Sequence, residues 1–194
     1  MSAPIITRSV GAEDVAELGK LFNTQRNTRR CWCTAFCSTG SQFASGWLLG
    51  RNRRRFEELA AAAPTPMGLL AVQDGEPIGW CACGPRSRYA GSPRSTVIRS
   101  RDRAEDARVW LLPCLFVRAG SRGEGVTHAL VAAAVDLARR EGAAAIEGWP
   151  LAASVRASGD AFFGREQVFD ELGFVCVDRP SPDRVIMRLE LGGG

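Results

Sequence analysis

Apolar and polar positions divide this chain into segments of two periods. Residues 5–10, Ile-Ile-Thr-Arg-Ser-Val, read as a short strand. Beyond Gly11, the residues Val15, Leu18, Leu21 and Phe22 fall on one face of a helix. From 24 to 50 no period holds, and the segment reads as an irregular excursion. A second helix runs from 52 to about 63 and ends at Pro64, because proline disfavours helix in the residue before it. Strands at Gly68–Gln73 and 78–83 follow, joined by the turn residues Asp74, Gly75, Glu76 and Pro77. Residues 86–106 form a polar, arginine- and serine-rich excursion. The run Val109–Val117 is apolar and of strand length, and Pro113 within it marks an edge or bulge because it cannot donate a ladder hydrogen bond. Residues 125–142 form the clearest helix, with Val126, Leu130, Ala133, Ala134 and Leu137 in one stripe and Gly142 as its cap. A strand at 143–147, a helix at 160–172 and a strand pair at 174–177 and 185–191 complete the chain. The order β-α-α-β-β-β-α-β-α-β-β predicts one α/β domain over 1–194, with a mixed sheet of about seven strands flanked by about four helices.

Composition narrows the classes that fit. At 194 residues and 45% hydrophobic, the chain can bury one core without staples. The net charge of +4 is carried almost wholly by arginine, Lys20 being the only lysine, which points to base composition more than to a binding surface. No run approaches the roughly 20 apolar residues of a membrane span, and the first residues lack a signal architecture. Seven cysteines, an odd number without an export signal, suit reduced thiols, so a cytoplasmic location is expected. The spacing of Cys31, Cys33 and Cys37 is not that of a zinc finger, so buried thiols are expected and no metal. His128, the only histidine, reads as a surface or capping residue.

The chemistry lies between Val117 and the helix at 125–142. An apolar strand, a short turn with Gly123 and Gly125 and a helix N-terminus make a diphosphate site, because the first helical amides have no partner and the macrodipole favours anions there. The turn is neither a Walker A loop nor a full G-x-G-x-x-G. The run from Phe116 to Val126 resembles the acetyl-CoA loop of GNAT acetyltransferases, R/Q-x-x-G-x-G/A, placed on Arg122, Gly125 and Thr127, with Thr127 departing from the usual small residue. Phe169-Asp170-Glu171-Leu172-Gly173-Phe174 resembles that family's Y-x-x-L-G-F helix end, and the element order fits from about Ile5 to Leu191. The resemblance implies acetyl-CoA as co-substrate. The backbone of Leu115, Phe116 and Val117 would pair with the pantetheine arm, and the amides of Arg122, Gly123, Glu124, Gly125, Val126 and Thr127 would hold the pyrophosphate. Phe169 stands where many relatives carry a proton-donating tyrosine, and Phe162 falls near a usual asparagine.

Acetylating an amine needs a neutral nucleophile, and a carboxylate can take the proton. Glu147, at a strand end beside the cofactor strand, is the candidate base. Trp32, Tyr89, Trp110 and Trp149 are candidates for a sugar-stacking pocket. Arg30-Cys31-Trp32-Cys33, Gly79-Trp80-Cys81, Gly84-Pro85-Arg86, Val109-Trp110, Cys114, Glu147-Gly148-Trp149-Pro150 and Arg184 to Arg188 resemble a bacterial GNAT subgroup that includes kasugamycin 2′-N-acetyltransferases. The expectation is thus direct acetyl transfer to a small-molecule primary amine, such as an aminoglycoside antibiotic that acetylation inactivates. Partners would be small molecules, with no nucleic acid and no membrane, and a homodimer is left open. The competing readings are a protein or peptide N-acetyltransferase and an RNA-binding module using the arginines of 86–103.

Overall fold

The computed structural model describes residues 3–89, 103–155 and 162–192. Seven strands form one sheet in the order β1-β2-β3-β4-β5-β7-β6. They are β1 Ile6–Val10, β2 Gly68–Gln73, β3 Glu76–Pro85, β4 Val109–Val117, β5 Ala145–Gly148, β6 Val175–Ser181 and β7 Arg184–Glu190. All pair antiparallel except β4 with β5, the one parallel contact. The described residues hold six α-helices: α1 Val15–Phe22, α2 Arg26–Cys31, α3 Gly40–Leu49, α4 Asn52–Ala62, α5 Val126–Arg140 and α6 Glu166–Glu171. The mixed α/β architecture is the expected one, with two helices more than expected.

Strand alternation sends neighbouring side chains to opposite faces, and each face has its own core. Leu69, Cys81 and Leu115 point to the face covered by α5 and α6, with Leu130, Ala134 and Phe169 above them. Leu70, Trp80 and Phe116 point to the other face, under Leu18 and Phe22 of α1 and Phe56 of α4. The segment read as irregular, 24–50, contains α2 and α3. A capping box on Thr39 and Gln42 starts α3, and Gly50 in the left-handed region ends it. The helix expected at 160–172 is shorter, since Gly164 adopts φ +73 and α6 begins at Glu166. Residues 160–161 lie outside the described residues, as do 90–102 of the second excursion. No helix among the described residues is long and apolar enough to cross a membrane.

Candidate active site

The sheet opens at Pro113. Between β3 and β4, Ala82 pairs with Cys114 and Gly84 with Leu111, so Cys83 alone faces Leu112 and Pro113. That is a bulge, placed where proline can give no ladder bond. On the other side, β4 pairs with β5 only from Val109 to Leu112. Beyond this point β4 runs on to Val117 with no strand on that side among the described residues. The Arg118 amide donates to the Ile78 carbonyl. By antiparallel alternation, Cys114 and Phe116 therefore exchange bonds with β3, while the amides of Leu115 and Val117 face the open edge. The Leu115 amide donates to the Phe162 carbonyl at 2.7 Å.

A single 3-10 turn, Ala119–Ser121, carries the chain from β4 to α5. Residues Arg122 to Gly125 are exposed, and the Arg122 Nε donates back to the Val117 carbonyl at 3.3 Å. Gly125 is the N-cap of α5 at φ +82, a conformation that costs other residues energy. It has no side chain to cap the helix, and a Cβ there would meet nothing within 4 Å. The first amide bond of α5 runs from Ala129 to Gly125, so the amides of Val126, Thr127 and His128 precede any intrahelical bond. The backbone of Leu115 and Val117 thus faces the open edge ahead of the loop Arg122 to Thr127, whereas that of Phe116, expected beside them, is bonded to β3. His128 is exposed at the start of the helix.

Across the sheet from α5, a cavity of about 640 Å³ borders Cys114 and Phe116 of β4. Phe22 and Trp80 form its floor, α2 contributes Asn27, Thr28 and Cys31, and α3 contributes Phe43, Ala44, Trp47 and Leu48. Cys33, Ala35, Phe36, Phe162 and Phe163 complete the wall. Phe162 stacks on Phe116 at 6.1 Å, and the Arg184 guanidinium lies 3.8 Å over Phe163. A hydrogen bond with Cys114, then burial, pushes the Cys33 thiol well up, and burial pushes Cys37 up to about 12.

The four aromatic side chains expected to hold substrate lie elsewhere. Trp32 and Cys33 adopt left-handed φ values of 48° and 51°. This reversal turns the Trp32 ring inward between Phe22 and Phe56, leaving Cys31 and Cys33 on the cavity. Trp110 belongs to the core beneath α5, and Tyr89 and Trp149 to a third cluster with Leu111. None of the four borders the cavity; Phe36, Phe43 and Trp47 of the same excursion do.

Glu147 does not border the cavity either. Its two carboxylate oxygens accept from Arg188 Nη1 at 2.9 Å and Arg86 Nη1 at 3.3 Å. Arg86, almost fully buried, also holds Asp106 at 2.7 Å, and Arg188 reaches Glu105 and Glu190. Burial alone would lower the Arg188 pKa, but hydrogen bonds with Glu190, Glu147 and Glu105 raise it overall. Arg88 also turns inward, donating to the carbonyls of Pro66, Cys83 and Thr65. Both described arginines of the 86–89 turn thus face the protein. At the Phe169 position no phenol is present. The ring is fully buried, and a Cβ on Gly148 would come within 2.4 Å of it, so only glycine fits β5 there.

The sequence profile of the Acetyltransferase (GNAT) family matches residues 32–162. No curated protein matches the chain in sequence. Among solved structures, an acetyltransferase from Thermus thermophilus is 18% identical with a TM-score of 0.57, over 98% of this chain and 100% of that one. PaiA N-acetyltransferase from Thermoplasma acidophilum, in complex with coenzyme A, is 14% identical with a TM-score of 0.56, over 96% and 99%. YncA from Salmonella typhimurium, with its cofactor acetyl-CoA, is 18% identical with a TM-score of 0.53, over 97% and 94%. These likenesses concern the fold.

Proposed function

Since the chain belongs to the GNAT acetyltransferase family, we propose that it transfers an acetyl group from acetyl-CoA to a primary amine of a small molecule. The observation that carries this reading is the uncapped N-terminus of α5 beside the open edge of β4. The amides from Arg122 to Thr127 would hold the pyrophosphate, where a helix N-terminus and two glycines at φ above +80° favour an anion. Leu115 and Val117 would meet the pantetheine arm as an added strand. Acetyl-CoA supplies an activated acyl group on a thiol, and with a pKa near 8.5 a thiol leaves readily. The buried Phe169 supplies no proton, so the departing thiolate draws on none from that side chain.

Glu147 enters this reading as an anchor of the β5 end. Both of its carboxylate oxygens are engaged by guanidinium groups. The apolar cavity performs the base's task differently, since burial disfavours the ammonium form of the acceptor. An aminoglycoside with several ammonium groups would find no carboxylate among the described residues that line the cavity. The RNA-binding reading loses Arg86 and Arg88, which are engaged inside the protein.

Gly125→Asp tests the cofactor loop. It places a charge and a strained left-handed side chain against the phosphate position, and CoA binding measured by calorimetry should weaken by about a hundredfold or more. Wild-type affinity in that variant would move the diphosphate elsewhere.

A further inference from the structure

Among the described residues, sixteen line the cavity beside β4, and not one of these is a carboxylate or a cation. The polar groups of this described lining are Asn27, Thr28, three thiols and the indole N–H groups of Trp47 and Trp80, and the Thr28 hydroxyl is already committed to the Phe22 carbonyl at 2.7 Å. The volume, about 640 Å³, suits a small molecule. Flat rings dominate the wall: Phe43 and Trp47 stand 5.8 Å apart on α3, and Phe162 presents a ring stacked on Phe116. Such surfaces hold aromatic guests by offset or edge contacts. A second ammonium would lose its water with no counter-charge to meet it. Cys33 supplies none, because its bond to Cys114 and then burial push its thiol well up. Cys114 and Phe116 bring the cavity against the open edge of β4.

We propose that the acceptor is an apolar aromatic monoamine, of the arylalkylamine kind, seated in this cavity with its amino group at Cys114 and Phe116. The proposal rests on the acetyltransferase reading above. The neutral amine nitrogen forms a bond to the thioester carbon, the carbon–sulfur bond breaks, CoA leaves as the thiolate, and the surplus amine proton passes to the thiolate or to water. The products are the N-acetylamine and CoA.

The test has a binding arm and a turnover arm. Calorimetry on the full chain, with and without CoA, should show 2-phenylethylamine and tryptamine binding at least about tenfold more tightly than spermidine or kanamycin. Trp47→Ala, on the cavity rim, should weaken 2-phenylethylamine roughly tenfold and leave CoA affinity unchanged. Ala44→Asp should move the preference about tenfold towards spermidine, since it supplies the missing carboxylate. Tighter binding of the polycations to wild type, or no effect of Trp47→Ala on the aromatic amines, overturns the proposal. In the turnover arm, CoA-thiol release should favour the same aromatic amines. Higher kcat/KM for peptides with an apolar first residue would assign the site to protein acceptors and sink the idea. If the aromatic amines bind and lose affinity with Trp47→Ala while no amine releases CoA thiol, the cavity assignment stands and the acetyltransferase reading fails.

Discussion

Glu147, the base expected from the sequence, is held in space by two guanidinium groups. Its place at the end of β5 is legible from the apolar run before it, but its two guanidinium partners come from positions 61 and 41 residues away. No local pattern announces them. Glu147→Gln keeps the shape, yet turns an amide donor towards a guanidinium. The loss should be about 1–3 kcal/mol, a melting temperature lower by about 2–4 °C per kcal/mol. The shape of the pH–rate profile should stay that of wild type. A kcat loss of about a hundredfold at neutral pH that recovers at high pH would restore Glu147 as the base. Trp32 does not line the cavity beside β4 for a related reason. Trp32 was expected to stack on a sugar, but the direction of its ring depends on the left-handed pair Trp32 and Cys33, which sequence periodicity does not reveal. Gly125, by contrast, was legible because turn, glycine and helix start are all local.

Elements with a strong period were the readable ones. The strands Gly68–Gln73 and Val109–Val117 match the apolar runs residue for residue, and Pro113 marks the bulge. Helices α2 and α3 were missed because six and ten residues with glycine, serine and asparagine carry little apolar stripe. The capping box of Thr39 and Gln42, with Gly50 beyond, was the available signal. Helix α6 is short and depends on its first residue. Glu166 accepts from the Ala153 amide at 2.7 Å and from Arg179 at 2.8 Å, and these bonds, the first of them foremost, hold its pKa below 4.5. A depressed carboxylate stabilises the fold above about pH 4.5, and that stabilisation fades as pH falls through the lower, native value. Thermal melts between pH 6 and 3 should therefore show a steeper fall for wild type than for Glu166→Gln. Parallel curves would mean that α6 is held by Phe169 alone.

At the scale of the molecule, the β2–β3 hairpin and the neighbouring of β4 and β5 were foreseeable because consecutive elements pack beside one another. The crossing of β7 between β5 and β6 was not, since antiparallel insertion leaves no mark on the individual strands. In the proposed complex, two ligands would also lie on either side of one strand segment. The Leu115 amide that would receive the pantetheine arm is held by the Phe162 carbonyl, and the Phe162 ring is part of the cavity wall. In the proposed complex, the cofactor has to win that amide from a residue that touches the acceptor. The two sites are then thermodynamically linked through one exchanged hydrogen bond. Linkage is reciprocal: the factor by which CoA alters the amine's Kd must equal the factor by which the amine alters that of CoA. Titrations in both orders should return one shared factor different from unity, on the order of fivefold or more. A factor of one in both directions would show that CoA binds with the Leu115–Phe162 bond intact, and that the two substrates enter as strangers.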